Sequence, residues 1–94
     1  MSMITEDTVL AFHQAASVRP VGDGVVILLA DSGQLYTGNG TTGAILRQVD
    51  GRRRIGDLAA ALCEEFDISP ETAAGDIVEI AGRLIDEGVL RVVE

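Results

Sequence analysis

The sequence of 94 residues contains no lysine, no tryptophan, one histidine and one cysteine. Because Cys63 is the only cysteine, no internal disulfide can form, and its position on an apolar helical face predicts a small buried side chain. His13 and Cys63 alone cannot assemble a nucleophilic triad or the ligand set of a metal site. The absence of lysine excludes a Walker-type phosphate loop. We therefore expect a protein that is not an enzyme, with no catalytic residue, no metal and no cofactor.

Basic residues are few: 7 against 15 acidic residues, which gives a net charge of −8 at pH 7. Such a charge repels the phosphates of nucleic acids and of anionic membranes, so we expect neither as a partner. A signal peptide is also lacking, and the longest apolar run, 25–30, is too short to span a bilayer. We therefore expect a cytoplasmic protein. The acidity would favour a basic peptide or enzyme surface as partner, or would serve solubility alone.

Aromatic residues make up only 3 % of the chain, whereas hydrophobic residues make up 47 %. The composition is that of a globular protein whose core consists of valine, isoleucine, leucine and alanine. The length predicts a single domain over residues 1–94, of which residues 1–10 are expected to be flexible.

Three strands are predicted in the first half of the chain. The first extends over 12–18, where Pro20 ends the pattern, the second is the β-branched run 25–30, and the third extends over 34–37. The short glycine turns between them predict antiparallel neighbours.

Three helices are predicted in the second half. They extend from a cap at Asn39, Thr41 or Thr42 to Val49, over 55–66, and from the cap Ser69 to Glu87. Gly88 ends the third helix, and the apolar tail 89–93 is expected to lie on the core. This order predicts an α+β fold, with an N-terminal three-stranded antiparallel sheet followed by three helices, of which the last two form a helix-turn-helix-like pair.

Three features invite a functional interpretation, and each has a plainer one. Glycines at 38, 40 and 43 match the dinucleotide-binding spacing, but no βαβ unit surrounds them. The helix-turn-helix pair suggests DNA binding, but the third helix is acidic and has Arg83 as its only base. The run Arg52–Arg54 is either a solvated turn or a contact for an acidic peptide or a partner enzyme.

The strand over 34–37 becomes a sheet edge if the first strand pairs with the far side of the second. Its free N–H and C=O groups could then pair with an extended peptide as a fourth strand. The third helix would wall the resulting groove with one flank of its apolar stripe. That stripe consists of Ala73, Ile77, Ile80, Ala81 and Leu84, all of which could instead belong to the core.

A series of segments over about residues 12–90 resembles the PqqD-like proteins. The segments are 33–39 (GQLYTGN), 42–44 (TGA), 50–51 (DG), 58–62 (LAAAL) with Phe66, 76–77 (DI), Leu84 and 88–90 (GVL). This resemblance implies a RiPP recognition element, a small winged helix-turn-helix-like domain. Such a domain binds the leader segment of a ribosomally synthesised precursor peptide and presents it to a modifying enzyme.

The resemblance also implies a site. The leader would pair with Gln34, Leu35, Tyr36 and Thr37 and lie beside a helix flank formed by Asp76, Ile77, Ile80 and Leu84. Within the family, the chain looks most like the stand-alone proteins of lasso-peptide clusters, whose partner is a leader peptidase. The alternatives are a peptide chaperone of pyrroloquinoline-quinone-type biosynthesis, working with a radical-SAM enzyme, and an acidic winged-helix DNA-binding regulator. One position departs from the family, since Gly38 stands where a leucine is usual before the asparagine.

Overall fold

The structure, a computed structural model, describes residues 4–93. Its elements follow one another as β1 (Val9–Phe12), β2 (Ala16–Val21), β3 (Gly24–Leu29), β4 (Gln34–Gly38), α1 (Gly40–Gln48), α2 (Ile55–Glu65), α3 (Pro70–Asp86) and β5 (Leu90–Val93). In one antiparallel sheet β3 lies between β2 and β4, and in a second β1 pairs with β5. The fold is therefore α+β, with antiparallel sheets and three helices, as predicted.

The prediction of a three-stranded sheet as the first element of the chain was wrong in one respect, because β1 precedes that sheet. β1 is only four residues long, and its partner β5 lies at the other end of the chain. Local sequence patterns cannot show a pairing over such a separation. The tail 89–93 does reach the core through the buried residues Val89 and Leu90, but it continues as a strand.

The flexibility predicted for residues 1–10 and the single domain predicted over 1–94 stay predictions. Residues 1–3 and 94 lie outside the described residues. The backbone carbonyls of Glu6 and Thr8 accept hydrogen bonds from the N–H groups of Gly56 and Ile55, both at 2.9 Å. This segment therefore lies against the start of α2.

Local capping explains where the helices begin and end. The side chain of Asn39 accepts the N–H of Thr42 at 3.0 Å and starts α1, and Ser69 accepts the N–H of Thr72 at 3.2 Å and starts α3. Gly88 has a φ of 83°, which ends α3 in a left-handed conformation that favours glycine. The predicted helices 55–66 and 70–87 each end one residue later than the observed ones.

The core lies between the inner face of the three-stranded sheet and the three helices. Its largest fully buried side chains are Leu10, Ile27, Ile45, Leu46, Ile55, Leu58, Leu62, Ile77 and Val89. Cys63, which was predicted to be buried, is only half-buried. None of the helices in residues 4–93 has the length and hydropathy of a membrane-spanning segment.

The glycines of the 38–43 segment are explained by close packing. A Cβ on Gly24, which lies against this segment, would clash with the backbone oxygen of Gly38, and a Cβ on Gly43 would lie 3.2 Å from a methyl group of Val25. Gly38 is likewise hemmed in, because its Cβ would meet the Thr42 side chain at 2.7 Å. These contacts hold the end of β4 and the start of α1 against the β2–β3 turn, and they explain why a leucine does not fit at position 38.

Substitution of Gly24 by alanine is expected to lower the free energy of unfolding by about 1–3 kcal/mol, because a backbone oxygen cannot yield to the new methyl group. Gly75 is the matched control: it is exposed in α3, with no atom within 4 Å of an added Cβ. Gly75→Ala should raise stability by up to about 1 kcal/mol. Urea denaturation of both variants measures the two effects, and equal stabilities would contradict the packing argument.

Candidate functional site

The edge of β4 that faces away from β3 is open. β4 pairs with β3 on one side, and within residues 4–93 no strand pairs with its other side. The backbone groups along such an edge are available to another extended chain, and proteins usually protect them with charges, prolines or a covering element. β4 has the sequence QLYTG, which contains neither a charge nor a proline.

The hydrogen-bonding phase of the sheet identifies the outward-facing groups of β4. The Ala30 N–H donates to the Ala15 carbonyl at 2.9 Å. Along an antiparallel strand, successive residues direct their backbone N–H and C=O groups to opposite sides. The even-numbered residues of β3 therefore bond to β2, and the odd-numbered ones bond to β4. Odd-numbered β3 residues lie opposite even-numbered β4 residues. The N–H and C=O groups of Leu35 and Thr37 thus point away from β3, toward the open edge.

The opposite edge of the sheet, β2, is protected. By the same phase, the even-numbered residues of β2 turn their backbone groups away from β3. One of them is Pro20, which has no N–H to offer, and Arg19 beside it adds a charge. This position also explains why Pro20 lies inside β2, although it was predicted to end the strand. Of the two edge strands of this sheet, only β4 offers unprotected backbone groups to an added strand.

A groove along α3 accompanies the open edge and consists of two depressions, one between β4 and α3 and one between the start of α1 and α3. The first, of about 370 Å³, is lined by Leu35, Tyr36 and Thr37 of β4, by Arg83, Leu84 and Glu87 near the end of α3, and by Ile27 and Thr42 at its base. The second, of about 240 Å³, is lined by Asn39, Thr41, Asp76, Glu79 and Ile80. A chain paired with β4 would place every second side chain toward these depressions.

The structure brings most of the predicted site residues together. Residues 34–37 all lie in β4, and the Tyr36 hydroxyl donates to the Gln34 side chain at 2.9 Å. From α3, Asp76 and Ile80 line the second depression and Leu84 lines the first. Leu84 and Ile77 are both buried core residues, at 2 % and 0 % exposure, and of the two only Leu84 lines a depression.

Several lining residues were not predicted from the sequence, among them Glu79 and Arg83 of α3 and Glu87, which caps its end. Their helical spacing from Asp76 and Ile80 placed them on the same face, so the signal was present. The apolar stripe alone could not indicate them, because it includes Ala73, Ile77 and Ala81 of the core together with Ile80 and Leu84, which line the depressions. The side chains of the groove include three acidic residues and one arginine, which favours a ligand with positive charge.

The basic run 52–54 lies in a loop away from this groove. Asp50 organises that loop: its carboxylate accepts the N–H groups of Arg53 at 2.8 Å and Arg52 at 2.9 Å. These two backbone hydrogen bonds hold the pKa of Asp50 below its usual value. Arg54 approaches the carboxylate of Asp7 at 3.8 Å. The three arginines are exposed, which is compatible with a solvated turn and with a contact for a partner.

A larger concavity, of about 750 Å³, lies under the β2 edge. It is bounded by the β2–β3 turn, the start of α1 and the end of α2, where Arg47 and Glu65 form an ion pair at 3.1 Å. Pro20 lines it, so the adjacent edge cannot donate a full ladder of hydrogen bonds. Within residues 4–93, no group of three or more His, Cys, Asp or Glu side chains is arranged to hold a metal ion.

An open sheet edge beside a helix is a geometry in which some recognition domains bind an extended peptide as an added strand. The family model described as Coenzyme PQQ synthesis protein D (PqqD) matches residues 24–90. The chain therefore belongs to the PqqD family, which confirms the resemblance found in the sequence. No curated protein sequence matches the chain.

Two solved structures have the same fold. One, described as TbiB1 in complex with the TbiA(beta) leader peptide, matches with a TM-score of 0.79 and 18 % identity over 86 % of this chain and 94 % of that chain. The other, described as lasso peptide synthetase B1 complexed with the leader peptide, matches with a TM-score of 0.78 and 23 % identity over 87 % of this chain and 96 % of that chain.

Proposed function

We propose that this protein binds the leader segment of a ribosomally synthesised precursor peptide by β-strand addition and delivers it to a modifying enzyme. The open edge of β4 beside α3 is the observation that carries this proposal. The leader pairs with the outward-facing groups of Leu35 and Thr37, and its alternate side chains enter the groove lined by Asp76, Ile80 and Leu84. In this proposal the protein has no catalytic role and acts as an adaptor.

The modifying enzyme is the leader peptidase of lasso-peptide biosynthesis. Two proteins with this fold are described as complexes with leader peptides, one of them lasso peptide synthetase B1, and each corresponds to this chain over nearly its whole length. A second candidate follows from the family description, which names coenzyme PQQ synthesis. In that case the protein is a peptide chaperone that works with a radical-SAM enzyme.

A DNA-binding role has less support. The short connection between α2 and α3 would make them the helix-turn-helix pair of a winged-helix-like domain. A recognition helix needs basic or amide side chains that face the phosphates and the DNA groove. α3 instead carries Arg83 and several exposed acids, namely Glu71, Asp76, Glu79 and Asp86. Phosphate repulsion by these side chains opposes duplex binding.

An NMR titration of the isotope-labelled protein with the leader peptide encoded nearest to its gene tests the proposal. We expect saturable shifts of the Leu35 and Thr37 amides and of α3 residues 76, 80 and 83. A scrambled peptide of the same composition is the control, because it keeps the charge but loses the order of side chains. Shifts confined to the larger concavity, or shifts of equal size with the scrambled peptide, would contradict strand addition at β4.

A further inference from the structure

The outer face of the three-stranded sheet, which is turned away from the helices, is unusually apolar for an exposed surface. Side chains alternate along each strand, and the residues opposite the core-facing set define this face. It consists of Ser17, Arg19 and Val21 of β2, Gly24, Val26 and Leu28 of β3, and Leu35 and Thr37 of β4. The large hydrophobic residues exposed within residues 4–93 are Val21 at 59 %, Leu28 at 43 % and Leu35 at 62 %, and all lie on this outer face.

The outer face also differs from the whole chain in charge. The chain has 15 acidic residues and a net charge of −8, yet no residue of the outer face is acidic and Arg19 is its one charge. Leu28 and Leu35 are direct cross-strand partners, so they form a continuous apolar patch. A patch of this kind on an otherwise acidic protein marks an interaction surface.

We propose that the outer face is the docking surface for the enzyme that modifies the bound peptide, an inference that rests on the proposed function. The complementary surface on the enzyme is apolar and carries a carboxylate that faces Arg19. A second copy of this chain is the less favourable occupant, because each copy has a net charge of −8 and two copies repel each other. A less acidic protein meets the patch without that repulsion.

Peptide binding and enzyme docking are coupled through the same sheet. A strand that pairs with β4 directs every second side chain to the outer face, beside Leu35 and Thr37. The occupied protein therefore presents a wider docking surface, formed partly by the peptide that the enzyme must recognise. By linkage, the leader strengthens enzyme binding and the enzyme strengthens leader binding by the same factor, typically about 5- to 150-fold.

The test uses Leu28→Glu, because Leu28 lies on the outer face but outside the groove, and Ala60→Glu as the matched control on the exposed surface of α2. Both variants add one negative charge. Calorimetry with the purified processing enzyme encoded beside the gene, with and without the leader, should show that Leu28→Glu binds the enzyme about tenfold or more weakly. In the absence of the enzyme, the leader affinity of both variants should stay within about twofold of the wild-type value, because Leu28 is in the central strand and lines neither depression of the groove. Leu28→Thr, which keeps a strand-forming residue, serves if Leu28→Glu does not fold.

The outcomes separate this inference from the proposed function. Equal enzyme affinities of the Leu28 variants and the wild type, or no enzyme binding by the wild type, would overturn the docking surface. A wild type that binds the enzyme but not the leader contradicts the proposed function alone, and the variants still decide the docking surface. Sedimentation tests the other occupant: a wild-type dimer that becomes monomeric in Leu28→Glu would identify the face as a self-association surface and overturn the proposal.

Discussion

Substitution of Thr37 by proline is expected to weaken leader binding by roughly 5- to 150-fold, which corresponds to about 1–3 kcal/mol for an unsatisfied backbone group. The Thr37 N–H points to the open edge of β4, where it would donate to a leader carbonyl. Proline removes that donor, and its ring occupies the place of the approaching strand. The domain should stay folded, because the lost N–H makes no bond to β3 and proline is tolerated at such edge positions.

Two further variants make this experiment specific to the backbone. Thr37→Val keeps the N–H and the shape of the side chain, so leader affinity should hardly change. Tyr36→Pro removes an N–H that faces β3 and should destabilise the hairpin instead, which thermal unfolding will detect. If Thr37→Pro binds the leader as tightly as Thr37→Val does, the peptide does not add to this edge as a strand.

Helix ends and most strand positions could be predicted from the sequence because their causes are local. Asn39 and Ser69 supply cap oxygens within three residues of the N–H groups that they satisfy. The short turn between β3 and β4 makes these strands neighbours. The pairing of β1 with β5 has no local cause, since it joins the two ends of the chain. The place of Pro20 inside β2 depends on which edge of the strand faces solvent, and that also is a tertiary property.

The candidate site could be predicted as a pair of elements but not residue by residue. The sequence identifies β4 as the edge strand and α3 as its neighbour. It does not show which residues of β4 direct their backbone N–H groups toward β3 and which toward the open edge. The hydrogen bond from the Ala30 N–H to the Ala15 carbonyl fixes this alternation and so distinguishes Tyr36 from Thr37. It does not reveal the rotation of α3 either, which turns Ile77 into the core and Ile80 toward the groove.

Because the orientation of α3 about its axis places Ile77 in the core, the second large effect is expected on stability. Ile77→Ala is expected to lower the free energy of unfolding by about 2–5 kcal/mol, because it removes a fully buried side chain and leaves a cavity among the helices and the sheet. That is a large share of the stability of a domain of this size, which is typically about 5–15 kcal/mol. Urea denaturation followed by circular dichroism measures the loss.

Ile80→Ala is the matched variant. It makes the same truncation of an isoleucine, three residues further along α3. Ile80 is half-buried and lines the second depression, so its truncation should cost little stability but should weaken leader binding roughly 5- to 30-fold, or about 1–2 kcal/mol of apolar contact. Ile77→Ala, measured under conditions in which it is folded, should bind the leader nearly as tightly as the wild type. The opposite assignment, with Ile80 controlling stability and Ile77 controlling affinity, would mean that the groove lies on another face of α3.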